Sequence, residues 1–167
     1  MSGEAATPWI RGELVIGRAE LDEIEAHAAE CYPSECCGFI VGPVDDGPAL
    51  DQVIREVNEA DKYHALDPER FPRTSKTYFK INELRAARAF DDGDAKGQPI
   101  KVIYHSHCDA GAYFSSEDAA TFASQGELMW PCAFLVVSVV GGEVQGHRLW
   151  AHVPGTNAFR ETSLTIR

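Results

Sequence analysis

Two histidines that are two positions apart are the first feature of this sequence that could do chemistry. His105 and His107 follow a β-rich apolar run, and side chains with this spacing project from the same face of a strand. Asp118 stands, after a short loop, at the start of an Ala-rich segment that is predicted to be helical. Two imidazoles and one carboxylate match a catalytic zinc site, in which water takes the fourth position. We therefore predict that His105, His107 and Asp118 hold a metal ion at an open site.

Each half of this pattern is also typical of ordinary structure. A His-x-His pair occurs at strand ends by chance in many proteins. Ser115 and Asp118 have the spacing of a helix N-terminus, with a capping serine and an acid in the first turn. The metal interpretation is favoured because the strand, the loop and the helix start bring these polar groups into one turn of chain. A bound ion there would offset the cost of crowding them beside an apolar strand.

The composition is that of a soluble globular protein. The chain has 167 residues, of which 44% are hydrophobic and 25% charged, and this length suits one domain with one core. The net charge of −11 repels phosphate backbones, so we predict no nucleic-acid partner. Because no apolar run could cross a bilayer and the N-terminus lacks the pattern of a signal peptide, we predict a cytoplasmic protein that does not bind membranes. The unpaired spacing of the cysteines predicts reduced thiols: Cys31, Cys36, Cys37, Cys108 and Cys132.

Hydrophobic periodicity predicts the elements that position these residues. The helical segments have apolar positions at helical spacing and recognisable ends: 18–31, 82–90 with Asn82 as its cap, and 115–124. The strands are short apolar runs: 13–16, 36–41, 50–57, 78–81, 100–104, 131–140 and 143–151. The run 131–140 is too uniformly apolar for an exposed strand, so we expect it in the middle of the sheet. Gly141 and Gly142 predict a tight hairpin after it.

One further upstream segment completes a family motif. His105-Ser-His107, followed by Ser115 and Asp118 and preceded by the Ser-Glu-Cys-Cys-Gly segment that contains Glu35, resembles the JAMM (MPN+) family of zinc metalloproteases. The resemblance implies one Zn²⁺ per chain, bound by His105, His107 and Asp118. It also implies that Glu35 is the general base, which takes a proton from the zinc-bound water and delivers it to the leaving amine. Ser115 would donate a hydrogen bond to the oxyanion.

The resemblance extends from about residue 13 to residue 150 and implies the fold. It predicts an α/β protein of the MPN (JAMM) type, with a curved mixed β-sheet flanked by α-helices, similar to cytidine deaminases. The chain itself lacks the His-x-Glu and Pro-Cys-x-x-Cys pair of a zinc deaminase. The corresponding division of the chain is a flexible N-terminal arm over 1–11, the metalloprotease domain over 12–153 and a C-terminal tail over 154–167.

The resemblance also implies a class of substrate. Small bacterial-type members resemble enzymes that hydrolyse a peptide or isopeptide bond after the C-terminal Gly-Gly of a ubiquitin-like sulfur-carrier protein, in a pathway with an E1-like activating enzyme. Two glycines let an extended tail enter a narrow groove. One alternative is a non-catalytic MPN scaffold that binds partner proteins, which predicts a defective motif, whereas all five motif residues are present. The other is a zinc hydrolase that acts on a small amide.

The segment 61–77 is the least regular part of the chain. It contains two prolines and concentrates basic residues on an otherwise acidic protein: Lys62, Arg70, Arg73 and Lys76. In JAMM enzymes, insertions near the active centre help to hold the extended substrate tail, so the resemblance makes Arg70 and Arg73 candidate substrate-binding residues. The alternative is a solvated loop without a role, since charge runs usually have that character.

Cys108 departs from the family pattern, which often has proline after the second histidine. Its thiol could compete with Asp118 for the metal, since zinc accepts thiolate ligands readily. Asp118 is the preferred third ligand because the Ser-x-x-Asp spacing is complete and because a residue adjacent to His107 rarely reaches the same ion. Ser106 points to the opposite face of the strand, so we predict a packing role for it.

Overall fold

The structure, a computed structural model, describes residues 7–167 as a 3₁₀ helix, four α-helices and eleven strands. The 3₁₀ helix spans Pro8–Arg11. The helices are α1 (Arg18–Cys31), α2 (Ala60–Leu66), α3 (Glu83–Ala95) and α4 (Ser116–Phe122). None of these described helices is long and apolar enough to cross a membrane. The strands are β1 (Leu14–Ile16), β2 (Cys37–Val41), β3 (Ala49–Leu50), β4 (Gln52–Glu56), β5 (Ile100–Cys108), β6 (Ala123–Ser124), β7 (Glu127–Leu128), β8 (Ala133–Val140), β9 (Glu143–His152), β10 (Phe159–Thr162) and β11 (Leu164–Ile166).

Strand β5 lies in the interior of the main sheet, between β8 and β2. The six strands have the order β10-β9-β8-β5-β2-β4, in which β5 and β8 are parallel and all other neighbours are antiparallel. A second sheet, in the order β11-β1-β3, is parallel, and β6 pairs with β7. The predicted α/β class, with a mixed sheet flanked by helices, is confirmed.

Alternation along β5 separates two hydrophobic clusters, one on each face of the sheet. Val102 and Tyr104 belong to the cluster that α1 covers, whereas Ile103 belongs to a second cluster rich in phenylalanine. Each fully buried leucine or isoleucine of these clusters contributes about 1.5–3 kcal/mol. Because side chains two apart share a face, His105 and His107 continue the row of Ile103 and project from the phenylalanine-rich side.

Most predicted elements are confirmed, with bounds that differ by a few residues. The helix predicted over 18–31 has those bounds, and Asn82 caps α3 by accepting a hydrogen bond from the backbone N–H of Arg85 at 3.1 Å. The strand predicted over 131–140 corresponds to β8, which pairs with β5 and β9 and is almost entirely buried. All five cysteines lie among the described residues and are free thiols.

The strand predicted over 78–81 is wrong. Its backbone is bonded by the side chain of Asn58 and by the backbone N–H of Glu59, which donates to the carbonyl oxygen of Lys80 at 2.8 Å, and not by a neighbouring strand. The amide of Asn58 donates to the carbonyl oxygen of Tyr78 and accepts from the N–H of Lys80, both at 3.0 Å. The segment instead places Phe79, which is 5% exposed, in the phenylalanine-rich cluster.

Helix α3 continues about one turn past its predicted end at residue 90. Leu84 is 61% exposed, whereas Phe90 and Gly93 are buried. A Cβ at Gly93 would lie 2.7 Å from the carbonyl oxygen of Gln98, so the glycine lets the helix approach the chain that leads into β5. This glycine inside the helix is therefore a position of close packing.

The two ends of the described chain pack against the sheets. Residues 1–6 of the predicted arm lie outside the described residues. The structure departs from the expectation of a flexible arm over 7–11, because Trp9 is buried and its indole N–H donates to the carbonyl oxygen of Pro131 at 3.1 Å. The predicted tail over 154–167 contributes β10, which pairs with β9, and β11, which pairs with β1.

Candidate metal centre

Three side-chain atoms converge near the end of β5. Nε2 of His105, Nε2 of His107 and Oδ2 of Asp118 lie 3.2 Å apart in each pair. Ligands placed about 2.0–2.1 Å from a tetrahedral zinc ion are about 3.3 Å from one another, so one ion fits against all three atoms. The structure thus brings the three predicted ligands together as a group that could hold a metal ion.

Strand β5 and the start of α4 position this group. The two imidazoles project from one face of β5, and Asp118 occupies the third position of α4. The backbone N–H of Asp118 donates to Ser115 Oγ, and the backbone N–H of Ser115 donates to Asp118 Oδ2, each at 3.0 Å. This is a capping box, so the Ser-x-x-Asp spacing marks a helix start and at the same time directs a carboxylate oxygen towards the histidines.

The tautomer of His107 supports a cation in this group. Its Nδ1 lies 2.9 Å from the carbonyl oxygen of Gly111, which can only accept, so Nδ1 carries a proton. In the neutral imidazole Nε2 is then an acceptor, and it faces a second acceptor, Oδ2 of Asp118, at 3.2 Å. Two buried acceptors repel unless a cation lies between them, either a proton on Nε2 or a metal ion. A carbonyl partner on the far nitrogen is also the usual second contact of a metal-bound imidazole.

The imidazole of His105 is held in a fixed plane. It is fully buried and stacks on Phe79, with ring centroids 4.3 Å apart and an interplanar angle of 21°. Its Nδ1 has no hydrogen-bond partner within residues 7–167. The orientation of Nε2 towards Asp118 therefore comes from packing and from strand geometry, without help from a hydrogen bond on the far nitrogen.

Asp118 is held as a carboxylate. Burial acts to raise the pKa of this group, but charge attraction and hydrogen bonds from His105 and His107 outweigh burial and hold the pKa well below its usual range. The residue is only 7% exposed. An ionised, nearly buried carboxylate beside two imidazoles is a suitable anionic ligand for a divalent cation.

Glu35 faces the same cleft from the segment before β2. The cleft has a volume of about 120 Å³, and its lining includes Glu35, His107, Ser115 and Asp118. Glu35 is 6% exposed. Burial and then the charge of Asp118 raise the pKa of Glu35 to about 9, against the opposing effect of Arg73. In the metal-free protein such a carboxyl holds its proton at neutral pH, and a divalent cation beside it would favour the ionised form that a general base needs.

The two arginines predicted to bind substrate occupy different places. Arg73 lines the cleft together with Glu35 and forms a 3.4 Å ion pair with Glu117. The guanidinium of Arg70 lies 5.2 Å from the ring centroid of Phe71, in a neighbouring pocket. The structure therefore brings Arg73 to the centre, and Arg70 is not part of the cleft lining.

The neighbours of the two histidines in β5 have separate roles. Cys108 lines the cleft but lies outside the group of converging ligand atoms. Burial raises the pKa of its thiol to about 12, which disfavours the thiolate that a metal would need. Ser106 is fully buried, as a packing role requires, but the contact that its Oγ makes is a hydrogen bond accepted from the backbone N–H of Cys36 at 2.8 Å.

Sequence reasoning missed the contacts that build one wall of the cleft. Residues 73–77, which we call the cation loop, are anchored through Ser75. The carboxylate of Asp61 accepts hydrogen bonds from the N–H and the hydroxyl of Ser75, both at 2.8 Å. The carbonyl oxygen of Ser75 accepts from the backbone N–H of Glu35 at 2.7 Å. This arrangement places Lys76 in the cleft, and no local sequence pattern connects these residues.

Comparison with known proteins extends over most of the chain. Residues 18–153 match the family described as prokaryotic homologs of the JAB domain. The fold is similar to a solution structure from Desulfitobacterium hafniense, with 18% identity over 92% of each chain and a TM-score of 0.64. It is also similar to a solution structure from Salinibacter ruber, with 27% identity over 92% of each chain and a TM-score of 0.60. A JAB1/MPN domain protein from Archaeoglobus fulgidus is 15% identical over 93% of this chain and 99% of that chain, with a TM-score of 0.56. No curated protein matched the sequence significantly.

Proposed function

The chain belongs to the family of prokaryotic homologs of the JAB domain, and from this premise we propose that it is a zinc-dependent peptidase or isopeptidase. One observation carries the proposal. The ligand atoms of His105, His107 and Asp118 converge at 3.2 Å in a cleft that also contains the buried carboxyl of Glu35. Three protein ligands beside a proton-binding group are expected of a catalytic site, whereas a structural site is closed by a fourth ligand.

Zinc is the proposed metal because of the donor set. Two imidazole nitrogens and one carboxylate oxygen, with no fourth protein ligand in the group formed by the described residues, are typical of its catalytic sites. When bound, Zn²⁺ supplies a Lewis acid that polarises a carbonyl and lowers the pKa of water.

The chain supplies the groups that move protons and bind the oxyanion. Glu35 takes a proton from the attacking water and delivers it to the leaving amine, a role that requires its ionised form, which a divalent cation bound beside it would favour. Ser115 Oγ accepts a hydrogen bond from the N–H of Asp118, so its own O–H remains available to donate to the oxyanion. The ionised Asp118 and the two imidazoles hold the metal.

The proposed substrate is the C-terminal tail of a ubiquitin-like sulfur-carrier protein, cleaved after Gly-Gly, and an E1-like activating enzyme is the proposed partner in the same pathway. Resemblance to the JAMM family and the shape of the cleft support this choice. The lining of the cleft includes residues of the cation loop together with Ala110 and Tyr113. A volume of about 120 Å³ suits an extended glycine tail better than a bulky side chain.

The test is hydrolysis of a carrier protein that is extended beyond Gly-Gly. The zinc-loaded protein should release the extension, as measured by mass spectrometry, and a chelator should stop the reaction. Glu35→Gln should keep zinc but lose at least about 100-fold in rate, whereas His107→Ala should lose both zinc and activity. A protein that holds zinc and leaves every extended carrier intact would instead be a scaffold, or a hydrolase of small amides.

A further inference from the structure

We propose that Arg73 and Lys76 bind the free α-carboxylate of the leaving residue, so that the enzyme removes a single C-terminal residue and does not cut within a longer chain. The inference rests on the proposed peptidase function and specifies its substrate. It concerns the leaving side of the scissile bond, for which neither the family motif nor the metal ligands provide a recognition group.

Two cations line a small cleft on a chain whose net charge is −11. Arg73 and Lys76 are both exposed and both border the cleft that contains Glu35. Arg73 pairs with Glu117 at 3.4 Å, but both side chains are about half exposed, so this ion pair contributes little and can be exchanged for another anion. Lys76 forms no ion pair within residues 7–167. Both cations are therefore available to an anion that enters the cleft.

The cation loop is held firmly in place beside the base. Ser75 lies between the two cations in the sequence. Its carbonyl oxygen accepts a hydrogen bond from the backbone N–H of Glu35 at 2.7 Å, and its hydroxyl oxygen lies 2.9 Å from Ser34 Oγ. On its other side, the Asp61 carboxylate accepts from the N–H and the hydroxyl of Ser75. Arg73 and Lys76 thus project from a segment whose position is tied to Glu35 itself.

The direction of proton transfer determines which part of the substrate meets the cations. The leaving amine receives its proton from Glu35, so the leaving residue lies next to this carboxyl and next to the loop bonded to it. In an α-amino acid the amine nitrogen and the carboxylate carbon are about 2.5 Å apart. A carboxylate on the leaving residue is therefore within reach of Arg73 and Lys76, and an arginine fork is well suited to bind it.

A longer leaving chain would not place a carboxylate beside Arg73 and Lys76. A neutral peptide bond would replace the carboxylate, and the cations would then face no anion from the substrate. An acidic surface on a partner protein could also attract these cations, but such a surface does not need them inside a cleft with the base. The two possibilities differ in a measurable way. If the cations served only to bind a partner surface, a short peptide would bind with the same affinity whether it ended in a carboxylate or a carboxamide.

Binding to a variant that cannot turn over tests the proposal directly. Zinc-loaded Glu35→Gln protein is titrated calorimetrically with an N-acetyl peptide ending in Gly-Gly-Ala, as the free carboxylate and as the carboxamide. The carboxylate should bind about tenfold more tightly. This preference should be lost in variants that also carry Arg73→Ala or Lys76→Ala, and retained in part with Arg73→Lys.

Lys96→Ala is the matched control, because it removes an exposed positive charge near Val41, at the opposite end of β2. It should leave the preference unchanged. If Glu35→Gln does not fold, chelator-treated wild-type protein, which also cannot turn over, is titrated instead. Equal affinity for the two peptides, or an equal loss in Lys96→Ala, overturns the proposal.

Turnover separates this inference from the proposed function. Wild-type zinc-loaded protein should release alanine from the carboxylate peptide at least about tenfold faster than alaninamide from the carboxamide, and Arg73→Ala should remove most of this difference in kcat/KM. Failure to cleave either peptide or any extended carrier refutes the hydrolase, while the calorimetric comparison still decides whether the cations bind a carboxylate. Equal rates for both peptides refute the carboxylate proposal and leave the hydrolase standing.

Discussion

Replacing Glu35 by glutamine is expected to stabilise the metal-free protein, although it should abolish turnover. Burial, reinforced by the charge of Asp118, raises the pKa of Glu35 from 4.5 to about 9. The unfolded chain loses this proton near pH 4.5, whereas the folded protein keeps it up to about pH 9. The free energy of unfolding should therefore fall as the pH rises between these values, because only the folded state must keep the proton. Glutamine carries no such proton and removes this pH-dependent cost.

The expected gain in the free energy of unfolding at pH 7 follows from the difference between this pH and the pKa of Glu35 in the unfolded chain. At pH 7 the solution is about 2.5 units above the unfolded value of 4.5. At about 1.4 kcal/mol per unit, the cost is about 3 kcal/mol, and it vanishes near pH 4. Because the new amide N–H must find a partner in a buried cleft, we expect a measured gain of about 2 kcal/mol at pH 7. Urea unfolding of the chelator-treated proteins between pH 4 and pH 9 measures it.

Glu143→Gln removes an exposed carboxylate in the β8–β9 hairpin and should leave the pH dependence unchanged. Zinc should narrow the gap between wild type and Glu35→Gln, since a divalent cation favours the ionised carboxylate. A gap that stays constant from pH 4 to pH 9 would show that the buried carboxyl does not have a raised pKa.

Three further predictions concern the ligands and the packing. Asp118→Ala should lose tight zinc binding by elemental analysis, whereas Cys108→Ser should retain it; the reverse result would make the thiol the third ligand. Lys101→Met should lower the free energy of urea unfolding by about 2–4 kcal/mol, because this buried lysine donates to two carbonyls of the loop before β3 and to the carbonyl of Ala49 in β3, at 2.8–2.9 Å. An unchanged midpoint would contradict it. Gly93→Ala should cost about 1–3 kcal/mol, because its Cβ would meet a backbone oxygen at 2.7 Å. Gly146→Ala, which has nothing within 4 Å, should stay within about 0.5 kcal/mol of wild type in the same assay.

The part of the site that the sequence predicts is the part that is local in the chain. His105 and His107 share a strand face, and Asp118 follows within one loop and one helical turn, so strand alternation and a capping motif are enough to bring them together. Glu35 is different. It approaches through the pairing of β2 with β5, in which Cys37 lies opposite His105. No periodicity in a single sequence specifies that register, and only the resemblance to a family identified the residue.

The remaining wall of the cleft could not be predicted because side chains there replace regular backbone pairing. The side chain of Asn58 forms hydrogen bonds with the backbone of Tyr78 and Lys80 where a strand was predicted. The carboxylate of Asp61 likewise accepts hydrogen bonds from Ser75. Such contacts leave no repeat in the sequence and depend on the final position of the chain. The sequence shows that this segment is basic, but only the fold shows that Arg73 lines the cleft with Glu35 whereas Arg70 lies in a neighbouring pocket.

The stability of the metal-free site and its affinity for a cation have one physical cause. Two imidazoles, the Asp118 carboxylate and the Glu35 carboxyl are all buried beside one cleft, and His105 stacks on Phe79 of the phenylalanine-rich cluster. Oδ2 of Asp118 also accepts a hydrogen bond from the backbone N–H of Ser115, which stabilises the start of α4. A divalent cation relieves the repulsion between acceptors, favours ionised Glu35 and leaves the helix cap intact. The free energy that these buried groups cost the metal-free fold is therefore recovered, at least in part, when the ion binds.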